Sequence, residues 1–159
     1  MSVPAVNVER SKRKSPEEAI LVKKAEFVAG LQEDEMWITD IITVQDPSFL
    51  ERLRQEIFSV ARENEKNGTN QEVRAQQFSY EAKRIFLDKP TLILTGRQDS
   101  SVGYQDAWDL IENFPRATFA VLDRASHFLS IEQNALMKAL IDEWLDRVEE
   151  VRQLSGYNW

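Results

Sequence analysis

Two different spacings of apolar residues run along the chain, one on either side of residue 87. In the first half they recur every three or four positions, the period of a helix with one buried face. Leu21, Ala25, Val28 and Leu31 form such a stripe. Ahead of it, Ser15-Pro16-Glu17-Glu18 supplies a capping hydroxyl, a proline at the first helical position and the glutamate of a capping box. A first helix is therefore predicted from Ser15 to about residues 30–32. Asp46-Pro47 repeats the signal, and Phe49, Leu53, Ile57 and Val60 share one face of a second helix that breaks at Asn67-Gly68. A third helical pattern over residues 71–86 groups Phe78, Ala82 and Ile85. Between the first two helices, the apolar and β-branched stretch 36–44 fits a short helix or a strand equally well on propensity.

After Lys89-Pro90 the pattern changes. Thr91-Leu92-Ile93-Leu94-Thr95 is a short unbroken apolar run, as in a strand buried on both faces, and Gly96 ends it. Tyr104, Ala107, Trp108 and Ile111 return to helical spacing, and Phe114-Pro115 stops that helix before a second apolar run at residues 117–122. Two such strands joined by a helix are expected to be parallel with a right-handed crossover. A final helix from about Glu132 to Arg152 should bury Leu136, Leu140, Trp144, Val148 and Val151. The segments predicted are a flexible N-terminus (1–14), a helical region (15–87), an α/β unit (88–152) and a tail (153–159).

Composition narrows the chemistry. At 159 residues the chain suits one compact domain, and 42% hydrophobic with 30% charged residues is an ordinary globular balance. A net charge of −7 opposes binding to nucleic acid, which needs clustered Lys and Arg. The basic run Arg10, Lys12, Arg13, Lys14 reads as a solvated loop. With no cysteine, disulfides and thiolate metal sites are excluded, and a reducing, cytoplasmic setting is the default. Neither a secretory signal nor a run of ~18 apolar residues is present, so a soluble protein without a membrane partner is expected. One histidine and no cysteine leave only carboxylates such as Glu33, Asp34 and Glu35 as metal donors, and these read as a solvated turn. No Gly-rich phosphate loop occurs, so neither a metal nor a nucleotide cofactor is implied.

On these residues the chain resembles the α/β-hydrolases. Lys89-Pro-Thr-Leu-Ile-Leu-Thr-Gly-Arg-Gln-Asp99 resembles the strand and turn that present that family's catalytic acid, and Pro115-Arg-Ala-Thr-Phe-Ala-Val-Leu-Asp-Arg-Ala-Ser-His127 resembles the last strand and the loop bearing its histidine. The resemblance covers residues 89–148. The helices before it resemble, less specifically, a cap over the active site, as in the cap-bearing enzymes that include carbon-carbon bond hydrolases, and favour helix for residues 36–44. It implies an α/β fold class: a partial α/β-hydrolase, helical cap followed by strand-helix-strand-helix. It also implies that Asp99 orients His127 and that His127 is the general base, in the acid-then-histidine order of the fold. From the residues alone, Asp99-Ser100-Ser101 is equally good turn chemistry, and a histidine beside Ala125, Phe128 and Leu129 also fits a packed loop. The family usually has glycine before its histidine; Ser126 stands there in this chain, adding bulk and limiting positive φ.

The family's nucleophile sits in a Gly-x-Ser-x-Gly elbow, and none of the glycines at 30, 68, 96, 103 and 156 frames one. The expectation is a polypeptide derived by truncation, a split gene or a partial reading frame, inactive as a single chain. A complementing N-terminal half would give it a small ester or carbon-carbon bonded ketone substrate. The strand at residues 91–95 would lack its preceding neighbour, so its edge should recruit a split-gene partner, a second copy in a homo-oligomer, or the chain's own helical segment. The alternative is a non-catalytic helical binding or assembly module using that exposed sheet edge.

Overall fold

The structure is a computed structural model that describes residues 1–7, 9–66 and 85–155. Its organising element is a pair of parallel strands, β3 (Thr91–Gly96) and β4 (Ala117–Leu122), in unbroken register from Thr91 opposite Ala117 to Gly96 opposite Leu122. Alternation sends Leu92 and Leu94 to one face and Ile93 to the other, and every β3 residue is buried. On one face Leu92, Leu94 and Leu122 meet Met137, Leu140, Ile141 and Trp144 of the last helix (Asn134–Ser155). On the other, Ile93 packs with Ala107, Leu110 and Phe114 from the short helix Gln105–Trp108 and the 3-10 turn Ile111–Asn113. A two-stranded sheet is marginal alone, and cover on both faces stabilises it.

The last helix begins after a break at Gln133, which separates it from a short helix, Leu129–Glu132. Its inward stripe runs through residues 137, 140, 141 and 144, so Leu136, predicted to be buried, falls off the stripe and is exposed. The helix also runs to Ser155, past the predicted start of a tail at 153.

The first half departs further from expectation. Ser15-Pro16 starts no helix; the first helix, α1, is only Ala25–Ala29, ended by Gly30. A second parallel pair takes the place of its predicted beginning: β1 (Val22–Lys23) lies beside β2 (Val44–Gln45), and Leu21 N and Val22 N both donate to Thr43 O. Long-range backbone pairing overrides the capping signal. Residues 36–44 are accordingly divided, with a 3-10 helix over Glu33–Asp40 and then β2.

Asp46 does cap a helix, its carboxylate accepting from Ser48 N at 3.0 Å. From Pro47 the backbone passes without a break through 3-10 (Pro47–Phe49), α (Leu50–Leu53), π (Arg54–Phe58) and α (Ser59–Lys66) geometry. The wider π turn puts Leu53 and Phe58, five residues apart, in the core and turns Val60 out to solvent. The third predicted helix lies outside the described residues, apart from its last two positions.

The predicted flexible N-terminus is engaged at both ends. Residues 1–3 lie parallel along the outer edge of β3, with Leu94 N donating to Met1 O at 2.9 Å and Val3 N to Leu94 O at 2.8 Å. The edge expected to be open is therefore partly paired, which is what unpaired backbone groups beside a buried strand demand. Further on, Arg13 Nη1 donates to Ser101 O at 3.0 Å and Lys14 N to the buried Asp106 carboxylate at 3.1 Å, while the Lys14 ammonium pairs with Asp109. The basic run that reads as a free loop instead packs against the turn after β3. Among the described residues no helix is long and apolar enough to cross a membrane.

Glu35 is a further correction. Read as part of a solvated turn, it is 1% exposed, because Arg54 and Arg62 of the next helical stretch close over it with contacts of 2.9 and 3.0 Å. The Arg54 guanidinium hydrogen bond holds its carboxyl down at about 2, despite the opposing effect of burial, with help from Gln32 N and Arg62. A depressed folded value means that the contribution is fully present above the ordinary 4.5 and is lost as pH falls towards 2. Glu35→Gln should destabilise the fold by about 2 kcal/mol at pH 7 and flatten the acid limb of the stability curve in this window. Urea titrations from pH 7 to 2 check both; equal losses at pH 7 and pH 2 would contradict the role given to the charge.

Candidate active site

Because β3 and β4 are parallel and in register, their carboxyl ends lie side by side and the two following loops start at the same height. Arg97 N donates to Leu122 O at 2.9 Å and Gln98 N to Ala125 O at 3.0 Å, so the loops are sewn together as they leave the sheet. Gly96 permits this closeness. A Cβ there would lie 2.4 Å from Ala125 O and 2.5 Å from Ser126 O, both backbone atoms with little room to yield.

The first loop turns on Asp99. Its side chain is buried, and Oδ1 accepts from Ser101 N at 2.9 Å and Val102 N at 3.0 Å. Gly103 closes the turn with φ +71°, its N donating to Asp99 O at 3.0 Å, in the left-handed region that suits glycine. The turn chemistry legible in Asp99-Ser100-Ser101 is thus real, and it coexists with a second use of the same carboxylate. Oδ2 faces His127 Nδ1 at 3.1 Å.

His127 projects from the second loop with its side chain 37% exposed, while its acid partner is 1% exposed. With Nδ1–H donating to Asp99, the free lone pair of the neutral ring lies on Nε2, which has no hydrogen-bond partner among the described residues. An imidazole held in that tautomer with Nε2 open is equipped to take a proton from a hydroxyl brought to it. Phe128 carries the loop into the first half, with ring centroids 6.2 Å from Trp37, which itself meets Phe58 edge-on at 5.7 Å. Trp37 and Phe58 border a cleft of about 230 Å³ with Asp34, Ala61 and Arg62.

Ser126 does not need the left-handed conformation for which a glycine would be suited; Val3 is the one non-glycine residue with positive φ among those described. It is fully buried, and its hydroxyl donates to Glu132 Oε2 at 2.7 Å while accepting from Phe128 N at 3.2 Å. Engaged on both sides, it is not placed as a nucleophile. Glu132, read from sequence only as a helix start, is the residue of the candidate site that sequence reasoning missed. Burial pushes its carboxyl above the usual value, against the pull of donors from Ser126, Val44 and Thr43. A glutamate directly after the apolar positions Phe128, Leu129 and Ile131 was the available signal.

Gly96→Ala tests the close approach. The added methyl group must displace the histidine loop, which should cost about 1–3 kcal/mol and weaken the Asp99–His127 hydrogen bond. Thermal melts and the ring ¹⁵N resonances of His127 report the two effects. An unchanged melt with unchanged resonances would show that the loops do not depend on this contact.

No protein-family model matches the chain, and no curated protein does. Among solved structures it is similar to an alpha/beta superfamily hydrolase from Oenococcus oeni PSU-1, with 22% sequence identity and a TM-score of 0.78. The likeness covers 93% of this chain and 56% of that one, so the chain spans little more than half the length of that hydrolase. The likeness extends over almost the whole chain, and the chain therefore has, in part, the α/β-hydrolase fold.

Proposed function

We propose that this chain supplies the acid and the base of a serine-type hydrolase site, with Asp99 orienting His127 and His127 accepting a proton at Nε2, and that it is inactive as a single chain. The 3.1 Å contact between the buried Asp99 carboxylate and His127 Nδ1 carries the reading. The fold shared with a hydrolase agrees with it. In such a site His127 deprotonates a serine hydroxyl, the alkoxide attacks the carbonyl carbon of a small ester or ketone, and the imidazolium returns the proton to the leaving group. Asp99 stabilises that imidazolium without being protonated itself.

The 159 residues hold no Gly-x-Ser-x-Gly elbow, and the hydroxyl nearest the base, on Ser126, is occupied. The nucleophile therefore comes from a segment outside these residues, which would add to the sheet at the β3 edge that residues 1–3 now partly cover.

The purified chain is expected to turn over p-nitrophenyl esters no faster than its His127→Ala variant. With the nucleophile-bearing segment supplied, turnover should appear, and His127→Ala should lower it by about a million-fold and Asp99→Ala by about ten-thousand-fold. Turnover by the chain alone, or complemented activity indifferent to His127, overturns the proposal.

A further inference from the structure

We infer that Glu132 is a positioning residue for His127, holding the histidine loop through Ser126 and tying it to the β1–β2 pair of the helical half. The inference rests on the reading of His127 as the base and adds a residue that sets its orientation.

Glu132 is 6% exposed, yet none of its oxygens meets a cation among the described residues. Instead each oxygen accepts two hydrogen bonds. Oε2 takes Ser126 N at 2.6 Å and Ser126 Oγ at 2.7 Å, from the residue immediately before His127. The same hydroxyl accepts Phe128 N, from the residue immediately after it. The backbone is thus fixed on both sides of the ring. Oε1 takes Thr43 N at 2.8 Å and Val44 N at 2.9 Å, and Thr43 O in turn receives Leu21 N and Val22 N. A carboxylate offers about four acceptor positions, and here all are used by donors from two segments more than 80 residues apart in the chain.

Only an ionised carboxylate fits such a set. Glutamine has one oxygen to offer, so its amide nitrogen must point at either Ser126 or the Thr43–Val44 amides and set donor against donor in a buried place. Glu132→Gln should therefore release one end of the clamp. A residue that merely welded two elements together would lower stability and leave the ring of the folded molecule unchanged. A positioning residue changes the ring itself.

His127 is the only histidine, so its ring nitrogens give unambiguous ¹⁵N resonances in the whole chain without any assay of activity. The native chain should show the tautomer protonated at Nδ1. In Glu132→Gln, measured well below its melting temperature, the ratio of this tautomer to the Nε2-protonated form should fall about tenfold, equivalent to about 1.4 kcal/mol. Glu149→Gln, which removes an exposed carboxylate paired with Arg152 near the end of the last helix, serves as the control and should leave the ratio unchanged. If Glu132→Gln does not fold, Ser126→Ala removes only the hydroxyl and should shift the ratio in the same direction by a smaller factor. A ratio that stays within about twofold of native in the folded Glu variant, or in the Ser variant where that stands in, overturns the inference while leaving the base reading intact. A native ring protonated at Nε2 instead sinks the base reading, and this inference with it.

Discussion

The parallel register of β3 and β4 is the constraint on which the site depends. Strands that start and end at the same level deliver their loops to the same place, so two residues 28 positions apart become hydrogen-bonding neighbours. Register by one residue decides which face each side chain takes, and here it is fixed from both ends. At the carboxyl ends Gly96 lets the Ala125 and Ser126 carbonyls pass close by. At the opposite ends Arg147 reaches from the last helix to Arg116 O at 3.2 Å and to Thr118 Oγ1 at 2.8 Å, and Trp144 Nε1 donates to Pro90 O at 2.9 Å. One helix therefore grips the start of both strands, and the site at their far ends inherits that alignment.

The two halves of the chain differ in grammar but do not have separate cores. Phe27, Ile38, Ile42, Leu53 and Phe58 from the first half enclose Ile131, with Phe128 packed against the cluster, and both of these come from the segment that follows the histidine. Burial of one such aliphatic side chain contributes about 1.5–3 kcal/mol, so the histidine loop is held by apolar packing towards the helical half and by polar bonding towards the strands. The position of His127 is thus a property of the whole chain. A site read only from Asp99 and His127 leaves out the elements that make their meeting specific.

Much of this was legible in the sequence where apolar period and burial agree. The runs at 91–95 and 117–122 are short, largely apolar and bounded by Lys89-Pro90, Gly96 and Phe114-Pro115, which favours strands, and the loops after them could be read for chemistry once the strands were placed. Legibility failed where a distant partner decided the outcome. Ser15-Pro16 has every local mark of a helix start, yet Val22 pairs with Val44 and the helix waits until Ala25. Glu35 looks like a solvated turn until Arg54 and Arg62 cover it, and Lys14 looks free until Asp106 and Asp109 are set beside it. The π turn at Arg54–Phe58 leaves no periodic trace that a 3.6-residue template detects, and it moved the buried position from Ile57 to Phe58. Glu132 escaped notice for the same reason, since its donors at Thr43 and Val44 come from a segment that gives no sign of facing it.

Two buried carboxylates flank the histidine, and the chemistry of the site follows from how differently they are satisfied. Asp99 commits one oxygen to the turn amides of Ser101 and Val102 and leaves the other for the ring, the arrangement that the proposed role of His127 requires. Glu132 commits both oxygens to backbone and hydroxyl donors and has none left for a proton in transit. Were the arrangement reversed, the loop would be loose and the ring without a counter-charge. Each carboxylate is expensive to bury alone, and removal of its donors leaves an uncompensated charge in a poorly solvated place. A shift of the backbone around His127 would therefore cost Glu132 its bonds to Ser126, and a turn of the ring would cost Asp99 its third partner. The hydroxyl of Ser126 belongs to this network, engaged by Glu132 on one side and by Phe128 N on the other, so it supports the histidine loop rather than facing the ring.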